Sequence, residues 1–479
     1  MSFVSKLFDK YNNISLPAKA SIWFMFSSVV TRGISFITTP FFTRLLTTEE
    51  YGVASLYNTW QTIITIFATF ELATGVFNKA MIKYENDRDG YTSSSLFLSS
   101  ILTASVFLIY IIGKSFWNSK IELSTPLMVM MFTDIFFTSA WSFFSIRDRF
   151  DFKYRTIVIV TIASNALATI LSLILVANVD SNKVEAKVFG SLIIRVSIYL
   201  IFYIKIFCKG KKLVEFSYWK YSLGYNLPLV PHYLSQQVLN QSDRIMISKM
   251  CGDSDAGLYS LAYQLAITMQ IVTNAIHASF VPWMYQKIKA NDLKSIGKRS
   301  MQFIISIGTI CVLFSLFAPE LILILGGTKY HTAVYVVPPV SMSILFLTIY
   351  SFISGIEFYF ERTKFVMVAS CVVAASNILL NYIFIKIFGF VAAGYTTLFC
   401  YICYSIVHYI FMKHVCKQEN IEDPFPAKLM WSIAAFYAIV SIFISFLYDY
   451  LWVRYSLIVA LTIVAFIYFK KNKQSILGK

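Results

Sequence analysis

Long apolar blocks alternate with short polar stretches rich in lysine and arginine along the whole chain. Ile157–Val179, Phe303–Phe317 and Leu457–Phe469 contain no charged residue. A helix needs roughly 20 apolar residues to cross about 30 Å of hydrocarbon. The apolar/polar alternation of a membrane barrel is not found. The blocks predict about fourteen spanning helices, at 18–45, 52–78, 93–113, 123–146, 154–178, 186–208, 221–249, 256–286, 300–326, 332–357, 364–385, 388–413, 428–448 and 451–469. Every expected connection is short, so no separate soluble domain is predicted.

Composition agrees with this pattern. Of 479 residues, 57% are hydrophobic and 14% charged, and the mean hydropathy is +0.65. A soluble surface would require about a quarter charged residues. The net charge of +16 does not form one patch, so no nucleic-acid partner is expected. It is distributed over alternate loops. One set of loops and the two termini carry 29 Lys and Arg, among them Lys205, Lys209, Lys211, Lys212 and Lys220, while the opposite loops carry 9. Basic loops stay on the cytoplasmic side, which predicts a multi-pass protein of the cytoplasmic (inner) membrane with both termini cytoplasmic. The N-terminus lacks a small-residue cleavage site, so no removable signal peptide is expected. The seven cysteines, including the pair Cys400 and Cys403, read as ordinary membrane-helix residues, and no metal site or cofactor is expected.

A short sequence repeats itself. Arg44-Leu-Leu-Thr-Thr-Glu-Glu-Tyr-Gly leads into Gly52, Ser55 and Leu56, and Arg244 with Asp253 and Asp255 leads into Gly257, Ser260 and Leu261. Six expected spans separate the copies, so both have the same orientation. Parallel repeats of this kind build two-lobed transporters with a site at the lobe interface. The expected organisation is a lobe at 1–210 (spans 1–6), a second at 211–415 (spans 7–12), and spans 13–14 with a cytoplasmic tail at 416–479.

Several spans carry polar residues at helical spacing. Span 1 aligns Arg32, Ser35 and Thr39, and span 2 aligns Asn58, Thr62 and Thr65. Span 7 aligns Asn226, Gln237, Asn240 and Arg244, and span 8 aligns Gln270, Asn274 and His277. These thirteen residues are the candidate lining of a central cavity. Single Ser, Thr, Asn or Gln side chains often join helices instead. Arg32 stands apart, since an arginine near mid-span costs roughly 2.5–3.5 kcal/mol on insertion scales. It is expected to face water, a carboxylate or an anionic ligand. Glu71, Asp134, Asp243 and Glu357 are candidate partners, while Arg195 reads as half of a structural ion pair. The five histidines form no ligand-like cluster, and no phosphate loop is present. No catalytic constellation emerges, so an enzyme is not expected. Pro228 and Pro231 are expected to bend span 7.

Thr43-Arg-Leu-Leu-Thr-Thr-Glu-Glu-Tyr-Gly with Phe70-Glu-Leu-Ala-Thr-Gly resembles the opening of bacterial polysaccharide flippases, which export O-antigen and capsule repeat units. These belong to the multidrug/oligosaccharidyl-lipid/polysaccharide exporter superfamily. Ser242-Asp-Arg-Ile-Met-Ile-Ser with Ala256-Gly-Leu-Tyr-Ser-Leu-Ala-Tyr is similar to the family's second-lobe opening, and Pro319-Glu-Leu-Ile-Leu-Ile-Leu-Gly-Gly-Thr-Lys-Tyr to its span 9–10 turn. The resemblance implies transfer of an undecaprenyl-diphosphate-linked oligosaccharide to the outer leaflet by alternating access. Implied partners are membrane lipid, H+ or Na+ as coupling ion, and a glycan polymerase. Arg32 and Arg244 would hold the diphosphate, and Glu71 and Asp134 are the ion-coupling candidates. The competing readings are a multidrug/cation antiporter of the same superfamily, which an acidic cavity would favour, and a membrane glycan polymerase or ligase.

Overall fold

The computed structural model describes residues 16–360 and 362–476. The expectation of no signal peptide falls on residues outside this range. Among the described residues all regular structure is helical. Ten helices are long and apolar enough to cross a membrane, with Leu451–Val464 as a shorter apolar one. The protein is an all-α, multi-pass membrane protein. Each of the fourteen expected spans contains helix; span 14 holds the shorter apolar one, and spans 2, 7 and 8 are not among the ten. Their polar residues and breaks separate them from the uniformly apolar spans.

The chain divides into two compact units, Met1–Gln237 and Val238–Lys479. In the first, α1 (Leu16–Leu45), α2 (Thr48–Thr69), α3 (Phe77–Lys83) and α4 (Arg88–Ile112) precede α5 (Lys114–Ile121). Then follow α6 (Thr125–Phe150), α7 (Tyr154–Ala177), α8 (Lys183–Gly210) and α9 (Phe216–Asn226). The boundary lies inside the seventh span because α9 packs on α4. Tyr91 and Ser222 share a 2.6 Å hydrogen bond, and Trp219 donates to the Ser94 carbonyl at 3.1 Å. The 3-10 turn Leu227–Leu229, at Pro228, then interrupts the span before α10 (Val230–Cys251), at one of the two prolines where a bend is expected.

In the second unit α11 (Asp253–Ile267), α12 (Gln270–Lys289), α13 (Leu293–Leu316) and α14 (Ala318–Gly326) follow α10. Next come α15 (Val337–Tyr359), α16 (Thr363–Phe388), α17 (Ala392–Gln418), α18 (Ala427–Ile444) and α19 (Leu451–Ile476). Phe280, Phe303 and Phe352 from three helices meet in its core, with Phe280 and Phe352 centroids 4.3 Å apart. Arg454 is 2% exposed and ties α19 to α13 and α14, donating to Leu316 O at 2.9 Å and to the Glu320 carboxylate at 2.5 Å.

The repeated motif is helix-capping chemistry. Thr47 and Glu50 form a capping box at the start of α2, with Glu50 N donating to Thr47 Oγ1 at 3.0 Å and Thr47 N to Glu50 Oε2 at 2.8 Å. Asp253 and Asp255 occupy the first turn of α11, where carboxylates complement the helix dipole. Outside the spans, hydrogen bonds from Lys287 and Ser295 hold the Asp292 carboxyl below its ordinary range, and Asp87 holds the Lys212 ammonium above its own. Both groups are exposed, so these pairs add little stability.

Helices α7 and α8 touch through small residues, the usual means of close approach in lipid. A Cβ on Gly190 would sit 2.7 Å from Ser172 Cα and 2.8 Å from its backbone nitrogen. Gly190→Leu is therefore expected to lower stability by about 1–3 kcal/mol. Thermal unfolding of the detergent-purified protein checks this, and an unchanged midpoint would refute the close contact.

Candidate functional site

In the first unit the polar residues of span 2 open onto a cavity of about 310 Å3, lined by Gln61, Thr62, Thr65 and Glu71 with Thr138 and Ser142 of α6. Helix α2 ends here because Phe70 and Glu71 adopt positive φ (45° and 52°). The Glu71 carboxylate accepts a 2.8 Å hydrogen bond from Thr74 Oγ1. A second cavity, about 280 Å3, is lined by Ser35, Asn58 and Arg195 among others. Asp134 links the two. It is buried, accepts from Gln61 Nε2 at 2.6 Å, and pairs with Arg195 at 3.0 Å. Arg195 is thus half of an ion pair, as its sequence position suggests, and its partner is the coupling candidate Asp134. Because α6 and α8 pack side by side, the two charges lie within the unit and offset each other's desolvation.

The remaining candidates of this unit divide. Thr39 is buried, and its hydroxyl donates to the Ser35 carbonyl at 2.7 Å, a bond within its own helix. Arg32 is exposed on α1 and has no hydrogen bond or ion pair among the described residues. Asn226 is fully buried at the end of α9, where its Oδ1 accepts from Val76 N at 3.1 Å. A Cβ on Gly75 would meet that oxygen at 2.1 Å, so only glycine lets the amide approach. Asn226 therefore fastens span 7 to the turn after span 2. Gln237 is half-buried on α10.

In the second unit Arg244 lies over the Tyr263 ring at 4.5 Å and hydrogen-bonds Gln241. Asn240, one turn earlier, accepts from Tyr401 at 3.2 Å. Gln270 opens α12, and Asn274 and His277 stand exposed along it.

Asp243 is the group that reasoning from spacing undervalued. It is 1% exposed and accepts three hydrogen bonds: Tyr259 at 2.6 Å, Asn381 at 2.6 Å and Thr397 at 3.0 Å. Asn377 and Thr396 extend the network through Asn381. No ion pair to Asp243 occurs among the described residues. The signal that could have exposed it is Asn377 with Asn381, two amides one turn apart in a largely apolar span. Glu357, the other buried acid of this unit, pairs instead with His408 at 2.8 Å, and neither side chain is exposed. No group of three or more His, Cys, Asp or Glu side chains able to hold a metal occurs among the described residues.

Helices of membrane-spanning length, with ionisable residues held inside them by hydrogen bonds and ion pairs, define a multi-pass membrane protein of transporter type. Solved structures share the fold. "Lipid II flippase MurJ, inward closed conformation" superposes with a TM-score of 0.67 at 14% identity, covering 94% of this chain and 99% of that one. An inward-facing multidrug resistance MATE family transporter of the MOP superfamily gives 0.62 at 12% identity, over 82% of this chain and 95% of the other. The chain belongs to the polysaccharide biosynthesis protein family, whose model matches residues 18–288. The MatE model also matches, over residues 228–383. The "Lsg locus putative protein 1" of Haemophilus influenzae is 23% identical over 374 residues, 75% of this chain and 88% of that protein. An "Uncharacterized membrane protein" of the same organism is 24% identical over 368 residues, 73% of this chain and 86% of its own. The resemblance drawn from the sequence motifs is thereby borne out.

Proposed function

We propose that the protein is a flippase that moves an undecaprenyl-diphosphate-linked oligosaccharide from the inner to the outer leaflet of the cytoplasmic membrane. The product feeds assembly of O-antigen, capsule or a related polymer, with a glycan polymerase as the next enzyme. The carrying observation is the match to the polysaccharide biosynthesis family over more than half the chain. The fold supports it, being that of a protein described as a lipid II flippase. The chemistry of the spans is compatible. Arg32 carries a charge with no partner among the described residues on a spanning helix, and Arg244 on another presents a guanidinium suited to phosphate oxygens.

Deleting the gene should stop surface polymer and leave repeat units on lipid in the inner leaflet. Quantifying surface polysaccharide and assaying which leaflet holds the lipid-linked unit test this. Intact polymer without inner-leaflet accumulation, in a strain with no second flippase, would sink the proposal. The MatE match favours one alternative, a multidrug/cation antiporter. Its loss would alter sensitivity to cationic compounds and spare the glycan.

Energy is proposed to enter through H+ or Na+. Glu71 and Asp134 are the candidates in the first unit, but Asp134 already has Arg195 as counter-ion. Asp243 forms no ion pair among the described residues, and a carboxylate buried without one is neutralised by a proton or a small cation. We therefore add it as the coupling candidate of the second unit.

The basic loops place both termini in the cytoplasm on this reading. A cysteine at Lys211 should resist impermeant thiol reagents in intact cells, whereas cysteines at Lys114 and Lys183 should react. Labelling of Lys211→Cys from outside would reverse the orientation.

A further inference from the structure

Between α3 and α9 of the first unit two lysines are held in place without a carboxylate. Lys79 and Lys83 stand one turn apart on α3, so their Cβ atoms are about 5–6 Å from each other. Tyr221 and Tyr225 have the same spacing on α9. The Lys83 ammonium lies 3.8 Å from the centre of the Tyr221 ring, and the Lys79 ammonium 4.9 Å from that of Tyr225. Lys83 also lies 5.4 Å from the Tyr84 ring. The rings are anchored in turn, since α9 is fastened to α4 by Tyr91–Ser222 and Trp219–Ser94. Asn226, at the end of α9, accepts from Val76 N directly before α3.

Both lysines are exposed, and neither has a hydrogen bond or ion pair among the described residues. The acids just beyond α3 are engaged elsewhere. Asp87 pairs with Lys212 and accepts from Tyr218, and Asp89 pairs with Arg147. Glu85 pairs with neither lysine among the described residues. A ring face attracts an ammonium but leaves its charge uncompensated, and the three N–H donors outnumber what one ring engages. Two positive charges one turn apart are therefore open to a ligand. They match two linked phosphates that each carry one negative charge, with one ammonium on each. A headgroup with a single phosphate balances only one of them.

We propose that Lys79 and Lys83 form a capture site for the diphosphate of the lipid-linked substrate, at the cytoplasmic end of the first unit. The site rests on the flippase reading and its orientation, and it adds a loading step before the diphosphate reaches Arg32 and Arg244. The tyrosines position the lysines, and the lysines make the contact.

The test is lysine-resolved NMR of the full-length protein in phosphatidylcholine nanodiscs. Reductive methylation with a 13C label keeps each ammonium charged and gives it a reporter, and Lys→Arg variants assign the two signals. Titration with farnesyl diphosphate should shift the Lys79 and Lys83 signals saturably, and farnesyl monophosphate should bind there about tenfold more weakly. Lys83→Gln should weaken the response at Lys79 by a similar factor, whereas Lys83→Arg should retain it. The affinity should fall as salt rises, since the site is exposed. Signals that stay in place, or an equal response at Lys79 in Lys83→Gln, would overturn the capture site. Signals shifted by phosphatidylglycerol in the nanodisc and not displaced by farnesyl diphosphate would overturn it in favour of an anionic membrane lipid. The leaflet assay on the deletion strain reads the flippase function independently. Inner-leaflet accumulation there without a response of the two lysines discards the capture site alone.

Discussion

Asp243→Asn is expected to abolish glycan export while leaving the protein folded and in the membrane. The carboxylate is buried among Tyr259, Asn381 and Thr397, all donating to it. An amide of the same shape keeps the space filled and retains an oxygen for two of these bonds, so the helix contacts among α10, α11, α16 and α17 persist. It removes the charge, and with it the capacity to bind a proton or small cation. Asp243→Leu is the contrasting case. It strands three buried donors, each costing about 1–3 kcal/mol, and its protein should be lost during expression. The measurement is export, together with the thermal midpoint of each purified variant with and without sodium and across pH. A dependence on sodium or pH present in the native protein should vanish in Asp243→Asn. Normal export by that variant would make the residue structural and move coupling to Glu71 or elsewhere.

What the sequence reveals and conceals follows from the range of the interactions. Spans such as Tyr154–Ala177 are legible because the bilayer demands about 20 apolar residues, and that demand is local. The interruption of span 7 is legible because Pro228 acts on its own backbone. The Thr47–Glu50 cap is equally local, which is why the repeated motif could be read before its role was known. Polar partners are not local. Asp243 meets Asn381 across 138 residues and Asn226 meets Val76 across 150. Helical spacing places Asn226 on a polar stripe with Gln237 and Arg244, yet it cannot tell that a glycine in a distant turn admits its amide. The same blindness applies to Lys187 and Arg195. Neither belongs to a stripe, and only the packing of α2, α7 and α8 brings them to one cavity with Tyr57. Charges inside a membrane protein are thus better located by their cost than by their spacing. Arg32 drew attention as an expensive residue, and Asp134 and Arg195 as the charges that could offset such a cost.

Arg32→Ala is expected to eliminate export with normal protein levels. The side chain is exposed on a spanning helix and has no protein partner among the described residues. Truncating it orphans no group among the described residues, so stability should change by no more than about 0.5 kcal/mol, the range of surface substitutions. If its charge serves a ligand, the loss falls on function: a hydrogen bond between charged groups contributes about 1.5–3 kcal/mol, and each 1.4 kcal/mol is tenfold in affinity. Export should therefore fall roughly tenfold to a hundredfold. Arg32→Lys keeps the charge but loses the two-pronged fit to phosphate, and should restore part of it. Arg244→Ala should act in the same direction but also lower the thermal midpoint, since it removes the contacts with Tyr263 and Gln241. Surface polymer per membrane-inserted copy, quantified for the three variants, checks this. Full export by Arg32→Ala would show that the exposed guanidinium meets solvent or lipid headgroups, and the diphosphate would then have to be sought at Arg244.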